Sequence, residues 1–97
     1  MYLVKLTKQA DKDMKLIKGA GFENKAKNLL DILRENPFQT PPEYERLFWD
    51  FKGCFSRRIN RQHRLVYEIH KNTENLLSPN GTPYEGIIRV IRMWTHY

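Results

Sequence analysis

One cysteine, Cys54, is all the chain has, so no disulfide can close within it. A lone thiol of this kind is most simply a small buried hydrophobe in a reducing compartment. Histidine is scarce as well. His63, His70 and His96 have no metal-ligand spacing with one another or with Cys54, so neither a metal nor a cofactor is expected. No apolar run approaches the roughly 20 residues that span a bilayer. The opening Met1-Tyr2-Leu3-Val4-Lys5-Leu6 is too short and too charged for a signal peptide. The expectation is a soluble, cytoplasmic protein with no membrane partner. Internal repeats and low-complexity segments are also missing, which leaves the simplest organisation, one domain over residues 1–97.

What the chain does have is an apolar fraction of 40%, with 12% of all residues aromatic, enough for a single modest core in 97 residues. The net charge of +6 points towards a polyanion partner. The cations differ in kind along the chain. Through Asn36 there are seven lysines and one arginine against five acids, the pattern of solvated helix surfaces. From Ser56 onward there are six arginines and one lysine against three acids.

The periodicity orders the chain as strand, helix, helix, then a run of strands. Tyr2 to Leu6 alternates as a strand. Thr7 can cap a helix whose apolar positions are Ala10, Met14 and Ile17, and Gly19-Ala20-Gly21 ends it. A second helix is predicted from Glu23 to Glu35, with Ala26, Leu29, Leu30 and Leu33 as its stripe, stopped by Asn36-Pro37. Pro37 to Arg46 reads as a loop. Cys54 to Ile59 and Leu65 to Ile69 alternate as two strands around the turn residues Asn60-Arg61-Gln62. Lys71 to Gly86 is turn-rich, with Asn80-Gly81 a hairpin signal, and Ile87 to Trp94 is a last strand. The class is therefore α+β, an antiparallel sheet with two N-terminal helices on one face and the other face concave and arginine-lined.

Four arginines, Arg57, Arg58, Arg61 and Arg64, fall within eight residues on the central hairpin. Leu65, Tyr67 and Ile69 should face the core, and Arg64, Val66 and Glu68 the other way. Guanidinium groups on a rigid strand suit phosphate, which they pair bidentately. Two solvated arginines would need no such explanation; this cluster does. On the last strand, Arg92, Trp94 and His96 are expected to share a face. Glu43, Glu45 and Asp50 are three acids close together on an otherwise basic surface, and by charge pattern alone Glu45 is a solvated loop carboxylate. Glu68 is expected to pair with a neighbouring arginine. One carboxylate, one histidine and several arginines are sufficient parts for metal-free RNA cleavage.

At these residues the chain resembles a known family. Pro42-Glu43-Tyr44-Glu45-Arg46-Leu47, Ser56-Arg57-Arg58-Ile59-Asn60, His63-Arg64-Leu65-Val66-Tyr67 and Trp94-Thr95-His96-Tyr97 are similar to the Txe/YoeB toxins of the RelE superfamily. The segment Glu35-Asn36-Pro37-Phe38 is similar too, so the likeness covers essentially the whole chain. It implies a RelE-like, microbial-RNase-like fold and a type II toxin that cleaves mRNA in the ribosomal A site. Carried over residue by residue, it implies Glu45 as general base, Arg64 as phosphate ligand, His96 as general acid and Tyr97 as a substrate-orienting ring. Arg58 matches a position lining the site, and Arg57 and Arg92 are expected to join it in binding substrate. The implied partners are mRNA, the ribosome near its 16S rRNA, and a YefM/Phd-type antitoxin, with monomer or homodimer left open. The chain departs from the family at Phe48-Trp49, where relatives commonly carry a basic residue, at Cys54, which replaces an aromatic, and in a longer Leu76-Gly86 segment. Two other readings stay open: a non-enzymatic inhibitor like the ParE toxins, and an RNA-binding module on the same fold.

Overall fold

The computed structural model describes residues 1–94, apart from the side chain of Trp49. The elements follow in the order β1 (Leu3–Leu6), α1 (Lys8–Gly19), α2 (Glu23–Glu35), β2 (Tyr44–Arg46), a 3-10 turn (Trp49–Phe51), β3 (Cys54–Arg58), β4 (Arg64–His70) and β5 (Ile87–Arg92). The sheet order is β1-β5-β4-β3-β2.

The helices form where the periodicity places them, for local reasons. Thr7 adopts extended backbone and its hydroxyl accepts from the Ala10 N–H at 3.0 Å, capping α1. Gly21, at φ 85°, makes the reversal into α2 in a conformation that a side chain would strain. Ala10 and Ile17 of α1 and Ala26, Leu29, Leu30 and Leu33 of α2 are buried against Leu65, Tyr67, Ile88, Val90 and Met93 of the sheet side. Burial of each large side chain contributes roughly 1.5–3 kcal/mol before entropy is set against it. Cys54 belongs to the buried set, as expected, and burial together with the Glu68 charge pushes its thiol up.

The sheet departs from expectation in three ways. It is mixed rather than antiparallel, because β1 runs parallel to β5, Leu3 opposite Ile87 through Leu6 opposite Val90. The helical hairpin between β1 and the rest of the sheet is the crossover that a parallel neighbour requires. The stretch read as a loop to Arg46 ends in a strand, β2, which pairs antiparallel with β3 and sets Glu45 opposite Ser56. Finally, β5 stops at Arg92, two residues before the expected end, and its register with β4 shifts: Tyr67 faces Val90 while Val66 faces Arg92. Such a bulge puts Val90 and Arg92 out of step with simple alternation, and the strand expected to carry Arg92 on to Trp94 ends at Arg92.

The turns obey local chemistry. The Asn60 carboxamide oxygen accepts from the N–H groups of Gln62 and His63, closing the β3–β4 connection. Residues 72–84 form a small hairpin closed by a Leu77–Pro83 bridge, with Gly81 at φ 85° in its turn. The Asn72 side chain staples its base to the Leu76 and Tyr84 carbonyls.

Candidate active site

Alternation sends Arg57 and Arg58 to opposite faces, and only Arg58 reaches the open one. Arg58 is exposed and pairs in register with Arg64 at the start of β4. Glu45 lies on the edge strand two strands away from Arg64. The Glu45 carboxylate and the Arg64 guanidinium meet at 3.4 Å, the arginine side chain 11% exposed and the glutamate 65%. The arginine is fixed and the carboxylate is open to solvent. Ser56, fully buried on β3 between them, accepts from Arg64 Nε at 2.9 Å. That bond orients the guanidinium plane and leaves its outer nitrogens for Glu45 or a ligand. Pro42, Glu43, Glu45, Arg58 and Arg64 line a cleft of about 350 Å³. It falls at the small end of ligand sites.

Arg57, expected among the substrate contacts, is instead entirely buried. Its Nη1 donates to the Pro42 carbonyl at 2.6 Å, Nη2 to the Pro37 carbonyl at 2.7 Å and Nε to the Tyr67 hydroxyl at 3.2 Å. Its guanidinium also lies 5.0 Å from the Tyr44 ring centroid. Arg57 thus holds both ends of the loop that delivers β2, and with it Glu45. A charge is tolerated there because all three nitrogens find acceptors. Burial raises the Tyr67 phenol above its ordinary range, against the opposing pull of Arg57.

Arg92 is also spoken for: its Nε donates to the buried Asp13 carboxylate at 2.9 Å and Nη2 to the Trp94 carbonyl at 3.2 Å. Arg61 is exposed in the turn. Glu68 pairs as expected, with Arg89 at 3.0 Å and with His70 at 2.9 Å. Burial raises its carboxyl, but the hydrogen bonds and charges of His70 and Arg89 outweigh that and hold it low. His96 and Tyr97 lie outside the described residues, as does Thr95. The chain leading to them ends in Trp94, whose ring stacks on His63 with centroids 3.8 Å apart. Ser56, Asp13 and His63 carry this geometry and were given no role from sequence. The alternation signal on β3 places Ser56 beside Arg58, but only the β2 pairing shows what it serves.

Among the described residues, no three His, Cys, Asp or Glu side chains converge as metal ligands. A larger cleft of about 760 Å³ opens at the far edge of the sheet, among Lys5, Lys8, His70, Lys71 and Arg89, and contains none of the expected site residues. Among the described residues, no helix is long and apolar enough to cross a membrane.

Comparison with known proteins gives a consistent picture. No curated protein sequence matches the chain. Among solved structures, a YoeB/ParE toxin from Agrobacterium tumefaciens superposes with a TM-score of 0.75 at 23% identity, covering 98% of this chain and 99% of that one. The toxin of a heterotetrameric YoeB-YefM complex from Staphylococcus aureus gives 0.69 at 25% identity, with 100% and 99% covered. YafQ from E. coli gives 0.72 at 22% identity, with 99% and 94% covered, a likeness of fold. The family described as the YoeB-like toxin of bacterial type II toxin-antitoxin systems matches residues 6–81, and the chain belongs to it.

Proposed function

We infer that this toxin is an endoribonuclease that cuts mRNA in the ribosomal A site by metal-free acid–base chemistry. The observation that carries the reading is the Glu45 carboxylate 3.4 Å from the rigid, nearly buried Arg64 guanidinium, with Arg58 on the same small cleft. A base beside a fixed phosphate ligand is what attack by a ribose 2′-hydroxyl needs. Glu45 takes the 2′-hydroxyl proton as the oxygen attacks the adjacent phosphorus. Arg64, held by Ser56, and Arg58 neutralise the charge that builds on the non-bridging oxygens. His96 gives a proton to the departing 5′-oxygen, and Tyr97 orients the nucleotide. The P–O5′ bond breaks, leaving a 2′,3′-cyclic phosphate and a 5′-hydroxyl. Each positioned acid or base contributes on the order of 10² to 10⁴-fold. The resemblance at Glu45, Arg64 and His96 supports these roles.

The partners follow from the same cleft. The substrate is mRNA presented by the ribosome, whose 16S rRNA the remaining basic surface fits. In the host the cleft is closed by an acidic antitoxin segment of the YefM/Phd type. Solved relatives are described as complexes of YoeB with YefM and of YafQ with DinJ, and one as a YoeB dimer. Phe48, 69% exposed beside an apolar pocket formed by Leu47 and Phe55, offers that segment a hydrophobic anchor.

The deciding experiment is a translation-arrest assay in which mRNA 3′ ends are mapped. Discrete cuts at A-site codons that vanish in Glu45→Gln support the reading. Arrest without cuts would make the protein an inhibitor instead, and RNA binding without arrest a simple binding module.

A further inference from the structure

Ser56 stands at the centre of β3, with Glu45 opposite it on β2 and Val66 opposite it on β4. Alternation gives it the face of Arg58, the open one, yet it is fully buried. What covers it is Arg64. In the ladder Arg64 faces Arg58, so Ser56 is its diagonal neighbour, within reach of a long side chain. The Arg64 side chain takes that diagonal: its Nε meets the Ser56 hydroxyl at 2.9 Å and its Nη2 lies 3.4 Å from Glu45 Oε1. It therefore crosses β3 at Ser56 and ends against β2. A small side chain at position 56 leaves room for that crossing, and its hydroxyl supplies an acceptor at the midpoint.

A guanidinium can grip phosphate by either of two forks, the side edge formed by Nε and Nη2 or the end formed by Nη1 and Nη2. With Nε given to Ser56, the side edge is closed and the end fork remains. Water at the cleft could satisfy Nε equally well. A buried hydroxyl does more, because it fixes which fork faces outward. The end fork includes Nη2, the nitrogen beside Glu45, so a phosphate held there lies next to that carboxylate. We propose that Ser56 is a positioning residue for cleavage, one that makes Arg64 take the scissile phosphate end-on, through Nη1 and Nη2, beside Glu45. The proposal rests on the reading of Arg64 as the phosphate ligand.

Its test is a double-mutant cycle on ribosomes programmed with mRNA. Single-turnover cleavage is followed against toxin concentration for the intact protein, Ser56→Ala, Arg64→Ala and the double variant, with folding checked by urea denaturation. Ser56→Ala is expected to slow cleavage at saturating toxin by roughly 10-fold, part of the roughly 10²–10³-fold set by losing the donor itself. The half-saturating concentration should change little, since the charge is kept and only its aim is lost. In the Arg64→Ala background, removal of the hydroxyl should cost nothing more, because it acts through the arginine. Full activity of a folded Ser56→Ala while Arg64→Ala is deficient overturns the proposal, and Arg64 keeps its role. So does an equal deficit in both backgrounds, or a deficit seen only as a raised half-saturating concentration. If Arg64→Ala cleaves normally, the phosphate-ligand reading falls and the proposal with it. Should Ser56→Ala fail to fold, Ser56→Cys takes its place, keeping the volume with a weaker acceptor. Failure of both to fold shows a role in stability alone and overturns the proposal.

Discussion

Arg57 and Arg58 are covalent neighbours with opposite fates: one is sealed beneath the sheet against Pro37, Pro42 and Tyr67, the other stands exposed at the cleft. Their substitutions should therefore fail differently. Arg57→Ala leaves the Pro42 carbonyl without this donor and the Pro37 carbonyl with the Tyr67 hydroxyl alone, at roughly 1–3 kcal/mol per orphaned group, and it empties a buried site. Its urea midpoint should drop sharply, and activity should follow the folded fraction. Arg58→Ala should stay within about 0.5 kcal/mol of the parent and lose cleavage activity while folded. Equal stability losses in the two would contradict the division.

Arg64 should be irreplaceable by charge alone. Arg64→Ala is expected to lower mRNA cleavage by roughly 10²–10³-fold, the effect of deleting one preorganised donor to a transition-state oxygen. Arg64→Lys should recover little, because lysine cannot donate to Ser56 and still present a second nitrogen to phosphate. Antitoxin binding by both variants checks that they are folded. Near-normal cleavage by the lysine variant would remove the orientation argument.

Stability should fall in acid through two carboxylates. Burial raises Asp13, but the hydrogen bonds from Met93, Arg92, Gln9 and Trp94 outweigh it and leave it below the usual range; Glu68 is also held low. A depressed folded-state value means stability that is complete above the unfolded values, about 3.9 for Asp and 4.3 for Glu. It is then lost as the pH falls through the lower folded values. Thermal melts between pH 7 and pH 3 should show a declining midpoint below about pH 4.5, with a shallower decline in Asp13→Asn. A flat profile would mean that these pairings contribute nothing.

Removing the last two residues should separate folding from activity. Among the described residues the buried set ends at Met93, and loss of His96 and Tyr97 is expected to change stability by no more than roughly 1 kcal/mol. Growth arrest should nevertheless disappear. Fragments made by the intact protein should carry a 2′,3′-cyclic phosphate or its 3′-phosphate hydrolysis product, and a substrate with 2′-deoxyribose at the cut site should resist. Normal cutting of the deoxy substrate would rule out attack by the 2′-oxygen.

By itself the sequence determined the parts whose causes are local. Helix stripes recur every three to four residues and end at caps, so Thr7, Gly21 and Asn36 mark the boundaries that the structure has. Asn60 closes its own turn, and the alternation of Leu65, Tyr67 and Ile69 requires a core on one side of β4. The pairing of Glu68 follows from its place in the strand. Only the tertiary structure decided the rest. β2 is three residues long and is a strand only because β3 pairs with it, so the approach of Glu45 to Arg64 has no local signature. The bulge at Ile91 and the end of β5 at Arg92 come from the pairing with β4, which simple alternation along the last strand does not show. Charge misled for the same reason: a guanidinium or carboxylate reads as surface until distant acceptors or donors satisfy it. Arg57 finds its acceptors 10 to 20 residues away and Asp13 most of its donors about 80 residues away, separations that no window along the chain can see.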